Sequence, residues 1–174
     1  MGRTFGIRIL LTVVLLAGLL LFLIRQTPEK ASELLPVGSL MPPVSAAGWI
    51  NDPVPTPENL RGQVVVIDVW AYWCGPCIES MPEMVSAYDK YKDRGVRFIG
   101  LTAEGAETLT ETKAIVEKAK LPYPNGYGAA DTVDALRVEM IPSVFVIGRD
   151  GRIIWHTDRP GTVEEAIESA LAKS

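Results

Sequence analysis

Cysteine and histidine are scarce in this chain, which has two cysteines and one histidine among 174 residues. A miniature domain framed by disulfides needs several cysteine pairs to make up for a poor core. Here one pair at most is possible, and 48% of the residues are hydrophobic. A structural zinc site takes four ligands, usually two Cys pairs or Cys with His. Cys74, Cys77 and the distant His156 do not supply them. Covalent haem attachment needs His directly after the second Cys, and Ile78 stands there. A peroxidase-type cysteine would have Thr three residues before it, where this chain has Ala71. No cysteine is placed for lipid attachment, and there is neither an internal repeat nor a low-complexity tract. Positive charge is also wanting. The formal net charge is −4, and the chain beyond residue 35 carries 13 basic against 19 acidic side chains. That balance argues against nucleic acid as a partner.

What is present is concentrated in one place. Both cysteines sit in Trp73-Cys74-Gly75-Pro76-Cys77, after the β-branched run Val64–Val69 and before an amphipathic stretch. Two thiols at this spacing on the first turn of a helix can close a disulfide. The backbone N–H groups and the dipole there favour a thiolate on Cys74, bringing such thiols from about 8.5 into the range of about 3.5–7.5. Cys77, one turn deeper, can then attack a mixed disulfide on Cys74. The reading is a redox dithiol that needs no cofactor beyond its own Cys74–Cys77 disulfide, and no metal.

The N-terminus holds sixteen uncharged residues, Ile9 to Ile24. As a helix they span about 24 Å at ~1.5 Å per residue, extended by Gly6 and Ile7, with Arg8 able to reach the interface. The residues that follow, Arg25 to Lys30, offer no small-x-small cleavage site. Residues 1–25 therefore read as an uncleaved signal anchor, 26–35 as a tether, and 36–174 as one folded domain. The basic side chains give a cytoplasmic N-terminus only slight preference.

The rest alternates strand and helix. Short β pieces are expected near Val44–Ala46 and Gly48–Ile50, and Thr56 with Pro57 opens a single helical turn. Val64–Val69 reads as a buried central strand. Ile78, Met81, Met84, Val85, Tyr88 and Tyr91 give the next helix one apolar face, with a kink expected at Pro82 and an end at Gly95. Val96–Leu101 is a strand, and Glu107–Lys120 a helix packing through Leu109, Ile115, Val116 and Ala119. Leu121–Gly128 reads as a loop rich in turn signals, and Asp131–Val138 as a short helix. Ser143–Ile147 and Arg152–His156 form a hairpin, and Thr162–Ala172 is the last helix.

Asp68 to Cys77, with Ile141-Pro142-Ser143 before a strand, resembles the thioredoxin superfamily. The apolar N-terminal run, Leu60-Arg61-Gly62-Gln63, the stretch inserted between Thr102 and Pro142, and Ile147–Ile153 resemble its TlpA/ResA-like branch. The resemblance implies an α/β class: a thioredoxin fold with an N-terminal β extension and a central helix-containing insertion, preceded by one transmembrane helix. It implies a monomeric, membrane-tethered thiol-disulfide oxidoreductase of the cytoplasmic membrane, with its domain on the extracytoplasmic side. The partners it implies are disulfide-containing client proteins, apocytochrome c among the possibilities, and a membrane thiol transporter as electron donor.

Residue by residue, the resemblance makes Cys74 the exposed nucleophile, Cys77 the resolving thiol and Asp68 the acid-base group. Trp73, Gly75, Pro76, Ile141 and a cis Pro142 would border the client. A structural, hydrogen-bonded role for Asp68 remains open, as does core packing for Trp70, and His156 reads as a strand-end or surface residue. Two departures from the family pattern bear on the acid-base assignment. Val96–Leu101 lacks the Lys that usually accompanies the buried Asp. Position 80, where a Glu is common in this branch, is Ser80, with Glu79 turned away. A binding module with an incidental disulfide, an oxidase and an isomerase are the alternative functions.

Overall fold

The structure, a computed structural model, describes residues 34–173. The expected anchor, and the tether up to residue 33, lie outside the described residues. Among the described residues, no helix is long and apolar enough to cross a membrane. Leu34 is buried, and the Leu35 N–H donates to the Leu136 carbonyl at 2.9 Å.

The elements in chain order are β1 (Gly48–Ile50), α1 (Pro57–Leu60), β2 (Val64–Val69), α2 (Gly75–Tyr91), β3 (Val96–Leu101), α3 (Leu109–Ala119), β4 (Asn125–Tyr127), α4 (Ala130–Ala135), β5 (Ser143–Ile147), β6 (Ile153–His156) and α5 (Val163–Ala172). They form one six-stranded sheet in the order β1-β4-β3-β2-β5-β6. The β2–β3 and β3–β4 pairs are parallel, while β5 runs antiparallel to β2 and β6 antiparallel to β5. This is the expected thioredoxin-like α/β arrangement. The central insertion contributes α3, β4 and α4, and β1 extends the far edge of the sheet beside β4.

β2 is central because both its faces are apolar, and every residue of it is buried. Alternation sends Val64 and Val66 into a cluster with Cys77, Met81, Phe98 and Ile167, and Val65, Ile67 and Val69 into a second with Val133, Leu136 and Phe145. The same alternation sets Asp68 on the α2 face between Val66 and Trp70. α2 runs unbroken through Pro82 over 17 residues and ends through a 3₁₀ turn at Gly95, which takes φ +78°.

The structure departs from the sequence reading in places. Residues 44–46 form no strand. Pro42 and Pro43 have no N–H to give a ladder, and the Ser45 N–H donates instead to the Thr132 hydroxyl at 2.8 Å. Asn125–Tyr127, read as turn residues, form β4, wedged between β3 and β1. His156 does end its strand, but it is buried rather than on the surface, and burial holds its imidazole below the usual range.

β3 is most constrained at Gly100, which pairs with Asp68 on β2 and Asn125 on β4. A Cβ there would lie 1.9 Å from Asn125 Oδ1 and 2.9 Å from Trp70 Nε1. Those two atoms share a buried hydrogen bond of 3.0 Å, so neither can withdraw freely. Gly100→Ala is expected to lower stability by about 1–3 kcal/mol through overpacking and loss of that bond. Chemical denaturation checks it, and an unchanged midpoint would show that Asn125 moves aside at no cost.

Candidate functional site

The strand-to-helix junction builds the site. β2 ends at Val69, and the Cys74 N–H donates to the Ala71 carbonyl at 3.0 Å, turning the chain into α2. Cys74 is the N-cap, with Gly75 and Pro76 opening the helix. Pro76 sits where no N–H is required. Cys74 and Cys77 are joined in a disulfide. The Cys77 N–H points at Cys74 Sγ, 3.2 Å away. The helix start therefore offers a donor to the first sulfur and none of equivalent placement to the second. Cys74 was expected to be exposed. It is instead 4% exposed, against 2% for Cys77, so helix position rather than accessibility distinguishes the two.

The other predicted residues gather at the same end of the sheet. Val69 pairs with Ser143, and one step further along that register Pro142 comes level with the exit from β2. The Ile141–Pro142 peptide is cis, as the resemblance implied. The Ser143 hydroxyl donates to the Met140 carbonyl at 2.6 Å, fixing this corner. Ile141 is half-buried against both apolar clusters. Trp73, next to Cys74, is 62% exposed, and Met140, two residues before Pro142, is 79% exposed, among the most exposed large apolar side chains. A groove of about 790 Å³ leads from Pro142 between α2 and α5, lined by Pro82, Met84, Ala87, Val144 and Val163.

Asp68 lies beneath α2 and is only 6% exposed. Burial pushes its carboxyl up to about 7, which a hydrogen bond from Tyr123 partly offsets. The Tyr123 hydroxyl donates to Asp68 Oδ2 at 3.4 Å, and burial next to that carboxylate raises the phenol's own pKa. A carboxyl group poised near neutrality can take and return a proton at working pH.

Three residues at the site were not read from the sequence. Tyr123 lay in a stretch taken as loop, and Met140 in one that carried no pattern. Glu104 accepts the Trp73 indole N–H at 2.7 Å and also the Thr102 hydroxyl, holding the exposed ring in one orientation. Trp70 is a buried core residue. Glu79 is exposed, and Ser80 donates to the Cys77 carbonyl at 2.9 Å, so position 80 supplies no acid. Among the described residues there is no group of His, Cys, Asp or Glu able to hold a metal ion.

A family model described as Redoxin matches residues 36–171. The chain belongs to the Redoxin family. Within it, the similarity runs to thiol-disulfide oxidoreductase ResA of Bacillus cereus strain ZK, with 33% identity over 98 residues covering 56% of each chain. The ResA of Bacillus thuringiensis subsp. konkukian is 32% identical over 117 residues, 67% of this chain and 66% of that one. The chain thus spans between about half and two thirds of these relatives' length. The thioredoxin domain of a thiol-disulfide oxidoreductase from Bacteroides vulgatus shares the fold, with a TM-score of 0.67 at 18% identity over 78% of this chain and 97% of that one. This Redoxin-family chain is accordingly a TlpA/ResA-like member of the thioredoxin superfamily.

Proposed function

We propose that the protein is a thiol-disulfide oxidoreductase that reduces disulfides in client proteins. One observation carries the reading: the Cys74–Cys77 disulfide closes the first turn of α2, with Cys74 Sγ receiving the Cys77 N–H. In the reduced protein the Cys74 thiolate attacks one client sulfur. The client's S–S bond breaks, an S–S bond to Cys74 forms, and the first client thiolate leaves. Cys77 then passes its proton to Asp68 and attacks Cys74 Sγ, expelling the second client thiolate. Two electrons go to the client, and the protein is left with the Cys74–Cys77 disulfide. The exposed Trp73, with Gly75, Pro76, Ile141 and Pro142, borders the client, whose extended backbone lies against the cis peptide.

The proposal extends to the whole chain. Residues 1–25 anchor it in the cytoplasmic membrane, 26–35 tether it, and 36–174 work on the extracytoplasmic side as a monomer. A membrane thiol transporter supplies electrons, and apocytochrome c thiols before haem attachment are candidate clients. The uncharged run Ile9 to Ile24 and the similarity to ResA proteins support this placement.

Cys-Gly-Pro-Cys suits a reductant, so a glutathione titration is expected to give a potential below about −220 mV, nearer thioredoxin than DsbA. A value near about −120 mV would make the protein an oxidant instead. Cys77→Ala, which can form but not resolve the mixed disulfide, is expected to accumulate a client joined through Cys74. A module with an incidental disulfide would form no such adduct and would not reduce insulin.

A further inference from the structure

We infer that Tyr123 is the positioning residue for Asp68: its hydroxyl, delivered by the segment before β4, takes the place of a basic partner, which β3 does not set beside Asp68 because its Arg97 pairs with Val65 on the other face. The inference rests on the reading of Asp68 as the base for Cys77.

The sheet register shows why β3 offers no partner. Gly100 stands beside Asp68 on β3 and Val144 beside it on β5. Neither bears a polar side chain. A longer side chain at 100 has no room, because Asn125 Oδ1 and Trp70 Nε1 occupy the space its Cβ would enter. On the face that Asp68 shares, β3 adds Phe98, β5 adds Val146, α5 adds Ala166 and Ile167, and α2 adds Cys77 and Met81. All are uncharged. Cys77 is the one further titratable group among them, and it titrates only when reduced. The Tyr123 hydroxyl is the side-chain hydrogen-bond donor that Asp68 receives.

Tyr123 is held in place from several sides. Its backbone carbonyl accepts from Asn125 Nδ2 at 2.7 Å and from Asn51 Nδ2 at 3.2 Å. Its ring packs against Phe98 and Tyr88, with centroids 5.9 and 5.7 Å away. Asn125 in turn accepts from Trp70, which follows β2 directly. Asn125 on β4 and Asn51, the residue after β1, thus fix where the phenol reaches. A donor aimed at a buried carboxylate favours the ionised form and draws the pKa down. Tyr123 therefore lets Asp68 ionise near neutral pH although desolvation opposes it.

Tyr123→Phe keeps the ring and its packing and removes only the donor. The oxidised full chain, with its carboxyl carbons labelled, is titrated by NMR. The midpoint of Asp68 is expected to rise by about half to one pH unit in the variant. The pH profile for resolution of a Cys74 mixed disulfide should move up with it, slowing resolution several-fold near pH 6.5 and little at pH 9. In an Asp68→Asn background, Tyr123→Phe should add no further slowing. An unmoved Asp68 midpoint in the folded variant would overturn the inference. A moved midpoint with an unmoved resolution profile would uphold Tyr123 as the partner of Asp68 and remove Asp68 from the proton transfer. A measurement on the natural sequence covers a variant that does not fold. The Tyr123 ζ-carbon must shift with the same midpoint as Asp68, and one that does not shift there also overturns the inference.

Discussion

Cys74→Ser is expected to lower insulin-disulfide reduction by about 10³-fold or more, to the rate of the uncatalysed exchange. Serine preserves the N-cap, because its hydroxyl can accept the Cys77 N–H as Sγ does. The fold and α2 should therefore persist. What disappears is the nucleophile: an alcohol is far less acidic than a thiol and stays protonated at neutral pH. Cys77→Ser should behave differently, because the first exchange at Cys74 survives. It should consume one equivalent of client disulfide and stop as a mixed disulfide. Both variants can be compared by insulin turnover and by mass spectrometry of the trapped adduct. If Cys74→Ser retained turnover while Cys77→Ser lost the first exchange, the two roles would have to be reversed. Their nearly equal burial makes this a real test, because only helix position separates them.

The second large effect concerns stability. Asp68→Asn is expected to make the oxidised protein more stable than the natural sequence at pH 8, by up to about 4 kcal/mol. Burial pushes the Asp68 carboxyl up to about 7 in the fold, from an ordinary value of 3.8. Below both values it is protonated, folded or unfolded, and costs little. As pH rises from about 4 to 7 the unfolded chain releases the proton and the folded chain keeps it. Stability then falls by about 1.4 kcal/mol per unit. Asparagine carries no charge to desolvate, and its carbonyl oxygen can still accept the Tyr123 hydroxyl. The advantage of the variant should vanish near pH 4 and grow to its limit above pH 7. Denaturant titrations of the two oxidised proteins across this range check it. Parallel curves would mean that Asp68 is solvated in the fold.

Such a loss would be the stability cost of the proton-transfer role proposed for Asp68. The sequence showed that carboxylate plainly, because Asp68 interrupts a run of valine and isoleucine. It also showed the missing Lys on β3 and the missing Glu at position 80. It did not show what stands in for them. Tyr123 is 55 residues from Asp68 in sequence, in a stretch whose prolines, asparagine and glycine all suggest turn. Three-residue strands such as β4 carry too little periodicity to declare themselves. Asn125–Tyr127 is a strand because β3 and β1 pair with it, not because of its propensity.

The sequence by itself determined the central strand, the cysteine-bearing helix and the redox pair. Each rests on local chemistry: β-branched residues in a run, an apolar face at helical spacing, and two thiols one turn apart. The cis peptide before Pro142 also followed, through the resemblance of the Ile-Pro-Ser motif. The tertiary structure decided what surrounds the pair. It buried Cys74, placed the Tyr123 hydroxyl on Asp68, tied the Trp73 ring to Glu104 and barred a side chain at Gly100. These arrangements depend on groups distant in the chain meeting across a packed sheet, where a single Cβ or hydroxyl sets what fits. Periodicity carries no information about such encounters, since each is fixed by register and packing between elements rather than by the order of residues within one.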